Sequence, residues 1–427
     1  MTCDASESVP KDERQHRAPA VAYVCLLSDY TVASAQAIKQ ILPAQVIAVS
    51  SEHVRRSGNE ERFRSLLHSW RVSVQVIGSG PPCAFPAERM TDSRRWLDLH
   101  LCPLLEAAQR QGLQLFANLT GSTKAAAIAL KECWAWNELH YTAEGTRARI
   151  EVLDRGVFSI APLGLLEEAR LLNVGIRADP EPWQGTDPLR LREAAETLYA
   201  DYSHGAAASV LHGYDALLRE LWFGARPAER LAAMGVSLAG NCASLPPGPL
   251  ASFLAAVSIG DPAVTVASAG GLCIPASKTH RWSRFVSGGW WEFLVAAWIA
   301  ELKRELVPHV VIPREGARSD DLEADILVRC RTGEMRAIEC KVQPPGRSGF
   351  MDMVKLLNDL SHRFGKTRGG FAISPAFWWQ VDTQTRDAFA ESCATRRIDI
   401  LDSQEAVERW VDGSDGQAPL PPYEIGR

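Results

Sequence analysis

The chain has 427 residues and a formal net charge of −5 at pH 7. This length predicts two or three domains, and the acidic balance excludes a basic surface spread over the whole molecule. The ten cysteines form no CxxC pair and no zinc-type cluster, which is typical of a reducing, cytoplasmic protein.

The first part of the chain predicts a doubly wound α/β domain over residues 20–154, after a polar, disordered tail at 1–19. The tail lacks the apolar core of a signal peptide, and no apolar run is long enough to span a membrane. The runs VAYVCLLS, AQVIAVS, VSVQVIGS and LQLFANLT predict buried strands separated by helices, including one long helix from about Thr91 to Gln111. The segment ELHYTAEGTRARIEVLD then predicts an edge hairpin.

Two strand-to-helix loops in this domain are candidates for a ligand site, because ligands of doubly wound sheets bind beyond the carboxyl ends of the strands. Ser28, Asp29 and Tyr30 follow the first strand, and the segment 118–124, NLTGSTK, follows the fourth. Gly121 permits close backbone approach, while hydroxyls, free helix amides and Lys124 favour an anion. No Walker A loop or dinucleotide fingerprint is present in the sequence. Ordinary helix capping by these residues is the alternative.

Residues 155–286 predict a helical connector or small middle domain. Residues 287–412 then read as helix, three strands, helix, strand, helix and strand, which contains the core order of restriction-endonuclease-like folds. The Gly- and Pro-rich residues 413–427 predict a loose tail.

The hairpin within 322–342 carries three unusual charges, on Asp325, Glu339 and Lys341. Glu339 and Lys341 share one strand face, and Asp325 on the preceding strand is expected to reach it. Two carboxylates suit Mg²⁺ or Mn²⁺, which activates water beside a phosphodiester, while the lysine steadies the nucleophile or helps to deprotonate it. Glu292, in an apolar helical run, is a candidate third carboxylate. The alternative is an exposed pair on the wet face of a sheet.

A basic stretch follows over 341–368, in which Lys355, Arg363 and Lys366 are candidates for holding a nucleic-acid backbone. A solvated helix face is the alternative.

The segment NLTGSTK resembles the Asn-(Leu/Ile)-Thr-Gly-Gly-Thr-Lys motif of CARF domains in CRISPR-associated ancillary nucleases, with Ser122 in place of the second glycine. In that family a CARF sensor precedes a PD-(D/E)xK nuclease domain, and the resemblance covers residues 20–153 and 287–402. It implies a homodimer that binds a cyclic oligoadenylate, of which cyclic tetra-adenylate is the most favoured. It also implies Mn²⁺- or Mg²⁺-dependent cleavage of single-stranded DNA or RNA, and nicking of duplex DNA, in type III CRISPR antiviral defence.

Two sets of residues carry over from the resemblance. The ligand-binding set is Ser28, Asp29, Tyr30, Thr120, Gly121, Ser122, Thr123 and Lys124. The nuclease set is Asp325, Glu339, Lys341 and Glu292, with the metal on Asp325, Glu339 and the Cys340 carbonyl. Two rivals remain: a regulator whose nuclease-like domain is inactive, and a restriction or repair nuclease that needs no cyclic messenger.

Overall fold

The computed structural model describes residues 19–29, 31–81, 83–142, 148–178, 188–203, 235–239, 242–247, 251, 255, 264–266, 271–275, 285–312, 322–342, 347–364, 367–379, 381–413 and 421–425. The chain forms two compact units. The N-terminal unit comprises Met1–Ala143, Arg149–Ala161 and Leu420–Arg427, and the C-terminal unit comprises Glu144–Ala148 and Pro162–Pro419. Among the described residues, no helix is both long and apolar enough to cross a membrane.

The N-terminal unit is built on a seven-stranded sheet with the order β3-β2-β1-β4-β5-β6-β7. The strands are β1 Val21–Leu26, β2 Gln45–Val49, β3 Val74–Ile77, β4 Gln114–Asn118, β5 Glu138–Tyr141, β6 Arg149–Val152 and β7 Gly156–Ser159. The first five strands are parallel, whereas β6 and β7 are antiparallel additions at one edge. The doubly wound sheet and its edge hairpin are therefore as predicted, and the order reverses between β1 and β4.

The helices of this unit are α1 Val32–Ile41, α2 Glu52–Arg56, α3 Asn59–Ser69, α4 Met90–His100, α5 Cys102–Arg110 and α6 Lys124–Cys133. The single helix predicted from Thr91 to Gln111 is wrong, because two helices meet at Leu101. The second of them has Pro103 in its first turn. Proline lacks an N–H and fits only the start of a helix, so it fixes where α5 begins.

The C-terminal segment docks on the N-terminal unit through Tyr423. Residues 413–427 were expected to be loose, but the Ser159 N–H donates to the Pro421 carbonyl (2.8 Å) and the Tyr423 N–H to the Ser159 carbonyl (3.0 Å). The Tyr423 side chain is buried, donates to Glu138 Oε2 at 2.7 Å and packs edge-on against His140. Backbone hydrogen bonds and one buried aromatic side chain thus anchor the described part of this segment.

We expect Tyr423→Ala to destabilise the N-terminal unit by about 3–5 kcal/mol, because it removes a buried ring. Tyr423→Phe should cost about 1–3 kcal/mol, since the buried Glu138 carboxylate loses one donor. Hydrogen exchange of the β1 and β5 amides measures the effect within this unit. The exposed Tyr141 gives the control Tyr141→Phe. Unchanged exchange in Tyr423→Ala would contradict the anchoring role.

The C-terminal unit contains a six-stranded sheet with the order β17-β16-β15-β14-β13-β8. Its strands are β8 Arg177–Ala178, β13 Leu306–Ile312, β14 Leu322–Arg329, β15 Met335–Lys341, β16 Gly369–Ile373 and β17 Ile398–Leu401. Its helices are α7 Leu165–Leu171, α8 Pro188–Ser203, α9 Trp290–Glu301 (preceded by a helical turn at Phe285–Gly289), α10 Arg347–Arg363, α11 Pro375–Trp379, α12 Thr383–Thr395 and α13 Gln404–Asp412. The order of elements predicted for residues 287–412 is therefore observed, with the short α11 and the final helix α13 in addition.

The region 155–286 contributes helix α8 and also strands, which the sequence did not predict. The four strands β9 Ser237–Ala239, β10 Cys242–Leu245, β11 Thr265–Val266 and β12 Leu272–Pro275 form a separate antiparallel sheet in the order β11-β12-β10-β9. Leu191, Leu245 and Leu272 from this region share one hydrophobic core with Trp291 of α9. From residue 162 onward, the described part of the region thus packs as part of the C-terminal unit, whereas residues 155–161 belong to the N-terminal unit.

Two hydrophobic cores cover the two faces of the six-stranded sheet. The first core joins α8, α9 and α13 to Ile338 and Cys340 of β15. The second core joins α7, α10 and α12 to Ala337 of the same strand and to Phe371 of β16. Alternate residues of β15 therefore point into different cores, as expected for a strand buried on both faces.

Candidate functional site

The hairpin of β14 and β15 brings the predicted acids together. The strands pair from Arg329↔Met335 to Ile326↔Ile338, around a turn in which Gly333 has a φ of +82°. One step beyond the last pair, Asp325 stands opposite Glu339. Beyond this point β15 continues in parallel with β16, where Glu339 is paired with Phe371 and Lys341 with Ile373. The candidate site therefore lies where β14 and β15 part.

The side chains of Asp325, Glu339 and Lys341 form one cluster. Asp325 Oδ2 accepts the N–H of Cys340 at 2.6 Å, which holds the carboxylate across the gap between the strands. Lys341 Nζ lies 3.8 Å from Asp325 Oδ2 and donates directly to Glu339 Oε1. When Glu339 is ionised, the two carboxylates around one ammonium carry a net charge of −1, which attracts a further cation.

Burial makes this cluster electrostatically unusual. Glu339 is only 7% exposed. Burial and the charge of Asp325 raise the pKa of Glu339 to about 8. Burial alone would lower the pKa of Lys341, but the two carboxylates beside it raise its pKa above its usual value. The lysine therefore stays protonated and acts as a fixed positive charge.

The cluster suits a divalent cation that is held by few protein ligands. Glu339 Oε2 is buried and has no hydrogen-bond partner among the described residues. A buried carboxylate oxygen without a partner is costly, and a cation bound there removes that cost. Within the described ranges, no three His, Cys, Asp or Glu side chains are grouped to hold a metal ion. An ion here would rest on Asp325, Glu339, a backbone carbonyl and water, a set that suits Mg²⁺, which keeps several waters.

Glu292 lies in the first turn of α9 and pairs with a histidine. Its Oε2 is 3.4 Å from His309 Nδ1. Burial raises the pKa of the Cys340 thiol, and the charges of Asp325, Glu292 and Glu339 raise that pKa further. All three carboxylates therefore act on one buried thiol, which places Glu292 near the cluster. His309 was not identified from the sequence, because its neighbours depend on strand pairing.

Of the three candidate residues in the basic stretch over 341–368, Lys355 is the one whose side chain the structure describes. Lys355 is exposed on α10, whose Val354, Leu357 and Leu360 pack on the same core as Ala337. Since Ala337, Glu339 and Lys341 alternate onto one face of β15, α10 covers the face of the sheet that carries the cluster. The side chain of Arg363 and the whole of Lys366 lie outside the described residues.

A cleft of about 880 Å³ lies in the N-terminal unit at the switch point between β1 and β4. Loops after β1, β2, β3 and β4 contribute to its lining. The lining residues are Leu27, Ser28, Asp29, Ser51, Glu52, His53, Val54, Ala84, Phe85, Pro86, Ala87, Glu88, Arg89, Asp92, Gly121, Ser122 and Thr123. The structure therefore brings the two predicted loops to one cleft and adds two further loops that sequence reasoning missed.

The β4 loop is shaped by its backbone and by the start of α6. Gly121 has a φ of +95°, which favours glycine. Thr123 caps α6 by accepting the Ala126 N–H at 3.2 Å and also donates to the Ala87 carbonyl. The Thr123 hydroxyl proton is therefore used within the protein, whereas Ser122 presents a hydroxyl at the start of a ten-residue helix. This arrangement offers donors to an anion.

The remaining predicted ligand residues differ in their placement. Asp29 is held by His53 Nε2 (3.1 Å) and Asn59 Nδ2 (3.2 Å). Thr120 and Lys124 are not among the described residues that line the cleft. Thr120 Oγ1 accepts the Thr142 N–H at 2.8 Å, and Lys124 is exposed on the first turn of α6. Tyr30 lies outside the described residues.

The described lining is acidic overall. It carries the carboxylates of Asp29, Glu52, Glu88 and Asp92 against the guanidinium of Arg89 and the imidazole of His53. Phosphates in this cleft would therefore depend on hydroxyls and backbone amides, whereas the carboxylates suit ligand amino groups.

Comparison with known proteins supports the fold. No family model and no curated protein sequence matches the chain. The structure of Can2 from Sulfobacillus thermosulfidooxidans in complex with cyclic tetra-adenylate aligns with a TM-score of 0.61 at 18% identity, covering 91% of this chain and 97% of that chain. The crystal structure of protein VC1899 from Vibrio cholerae aligns with a TM-score of 0.61 at 11% identity, covering 92% of this chain and 98% of that chain.

A third structure, of a type III CRISPR defence DNA nuclease activated by cyclic oligoadenylate, gives a TM-score of 0.49 at 17% identity, over 83% of this chain and 45% of that chain. The first two likenesses show one shared fold over nine-tenths of the chain. The predicted fold class, a Rossmann-like N-terminal domain followed by a restriction-endonuclease-like domain, is confirmed.

Proposed function

We propose that this chain, which has the fold of a CARF-containing CRISPR-associated nuclease, is a metal-dependent nuclease that a cyclic oligoadenylate switches on. The observation that carries the proposal is the cluster of Asp325, Glu339 and Lys341. Two carboxylates and a protonated lysine suit a divalent cation beside a phosphodiester, and the buried Glu339 Oε2 has no hydrogen-bond partner in the described part of the chain. The bound ion would polarise the phosphate and activate water.

In this proposal the residues of the cluster have separate roles. Asp325 and Glu339, with the Cys340 carbonyl, hold the Mg²⁺ or Mn²⁺ ion. The Lys341 ammonium stabilises the negative charge that develops on the phosphate. Lys355, on the helix that covers the same face of the sheet, attracts the backbone of single-stranded DNA or RNA.

The cleft of the N-terminal unit is the proposed messenger site. The Ser122 hydroxyl and the start of α6 suit phosphate oxygens, and the cleft carboxylates suit the exocyclic amino groups of adenines. The similar structure of Can2 is a complex with cyclic tetra-adenylate, and this ring is the ligand we propose. A ring with two-fold symmetry fits across a two-fold homodimer in which each protomer offers the same loops.

The test is a cleavage assay with Mn²⁺, fluorogenic DNA and RNA oligonucleotides and each cyclic oligoadenylate in turn. We expect cleavage with cyclic tetra-adenylate and little without it. Cleavage that is independent of every messenger would favour an ungated restriction or repair nuclease. Messenger binding without cleavage of any substrate would favour a regulator with an inactive nuclease-like domain.

Metal binding should depend on pH through Glu339. Its pKa of about 8 means that the metal-free carboxyl carries a proton below that pH, and a cation must displace this proton. We expect the apparent Mn²⁺ affinity to rise about tenfold per pH unit from pH 6 to 8 and to level off above. Calorimetry in buffers of different ionisation enthalpy measures the affinity and the released proton. An affinity that is flat over this range would contradict the assignment of Glu339 as a ligand.

A further inference from the structure

His309 stands opposite Asp325 at a break in the pairing of β13 with β14. The strands pair at Pro308↔Ile326 and again at Val310↔Ala324, and the intervening pair is missing. His309 has a φ of +48°, which is uncommon for a residue with a side chain. Residues held in this conformation cluster at functional sites.

At the same point, the even-numbered side chains of β14 change from one hydrophobic core to the other. Ile326 of β14 belongs to the first core, whereas Ala324 and Leu322, at even positions of the same strand, belong to the second. Regular alternation would place all three on one face. The change of face falls at Asp325, beside His309, and such irregularities re-aim side chains next to active sites.

His309, Asp325 and Glu339 thus occupy one row across three neighbouring strands. Glu292, in the first turn of α9, lies beside His309, with its Oε2 3.4 Å from His309 Nδ1. The His309 and Glu292 side chains are 17% and 22% exposed, so water can reach the pair. A carboxylate at Nδ1 fixes the tautomer that carries the proton there and leaves Nε2 as an acceptor.

We propose that His309, oriented by Glu292, is the group that takes the proton from the attacking water in the nuclease reaction. This inference rests on the proposed nuclease function. Lys341 is protonated beside its two carboxylates and lacks a lone pair for this step, whereas the imidazole Nε2 has one.

The proposed step moves one proton from the attacking water to His309. The water oxygen bonds to phosphorus while one of its O–H bonds breaks, and the proton passes to His309 Nε2. The bond from phosphorus to the leaving sugar oxygen breaks, and that oxygen takes a proton from solvent. The imidazolium then returns its proton to solvent, so that the sum is the addition of one water across the phosphodiester.

The test is chemical rescue of His309→Ala in the full-length protein, with messenger and Mn²⁺ present. We expect His309→Ala to lower the cleavage rate about 100-fold, a typical effect of losing a general base. Added imidazole should raise the cleavage rate of this variant at least about tenfold. Glu292→Gln should lower the rate less and gain nothing from imidazole. The exposed His68 on α3 gives the control His68→Ala, which should keep the wild-type rate with or without imidazole.

Two outcomes overturn the role of His309. One is a His309→Ala protein that cuts at the wild-type rate. The other is a variant that binds Mn²⁺ and unfolds like the wild type but is not rescued by imidazole, nor by its more basic methyl derivatives. His309→Gln provides a second variant if His309→Ala does not fold. A wild-type protein that cuts no substrate with any messenger refutes the nuclease function itself. A wild-type protein that cuts, together with either outcome above, refutes only the role of His309.

Discussion

Glu339→Gln should abolish cleavage while leaving messenger binding unchanged. The substitution keeps the size of the side chain but removes the carboxylate that would hold the cation. Metal ions supply several kcal/mol of charge stabilisation in such reactions, so we expect the cleavage rate to fall about 1,000-fold or more. The measurement is the single-turnover rate at saturating cyclic tetra-adenylate and Mn²⁺. Lys341→Ala should lose a similar factor, because the phosphate loses its fixed counter-charge.

A neighbouring acid supplies the matched control. Glu323 is exposed on β14, close enough for its charge to raise the pKa of Glu339. Glu323→Gln makes the same chemical change outside the cluster and should keep the rate within about threefold, as expected for an exposed charge. Messenger affinity should be equal in all these proteins, because the cleft belongs to the other unit. If Glu339→Gln still cuts nucleic acid with Mn²⁺ at the wild-type rate, the nuclease site lies elsewhere.

Strand periodicity predicted part of this site and missed part of it. Glu339 and Lys341 share a face because β15 alternates regularly, and two-residue spacing is visible in the sequence. The position of Asp325 beside them does not follow from strand periodicity. Its carboxylate bonds the Cys340 N–H where β14 and β15 part, at a point where β14 itself changes face.

His309 shows the limit of sequence reasoning most clearly. Its proximity to Asp325 depends on the register of β13 against β14, and its positive φ is not encoded by residue type. The N-terminal unit shows the same limit. Ser28 and Gly121 were predictable as carboxyl-end loops of the first and fourth strands, whereas His53 and Arg89 enter the cleft because β2 lies beside β1 and β3 lies beside β2. Such neighbours are far apart in the sequence, so local sequence patterns do not predict them.

Ser122→Glu should weaken messenger binding strongly and separate the two functions of the protein. Ser122 lines the cleft at the start of α6, where a carboxylate stabilises the helix and therefore preserves the fold. The same charge about 6 Å from a phosphate costs about 3 kcal/mol at an effective dielectric constant near 20. We therefore expect the cyclic tetra-adenylate affinity to fall about 100-fold, with cleavage recovering at correspondingly higher messenger concentration.

Ser122→Gln is the matched control, since glutamine has the size of glutamate without its charge. Its affinity should stay within about fivefold of wild type, so that the difference between the two variants reports charge and not volume. Lys124→Ala, measured alongside, tests the charge that the sequence singled out. Because Lys124 is exposed and lies outside the described cleft lining, we expect a smaller loss than in Ser122→Glu. Wild-type affinity in Ser122→Glu together with a large loss in Lys124→Ala would move the messenger away from this cleft.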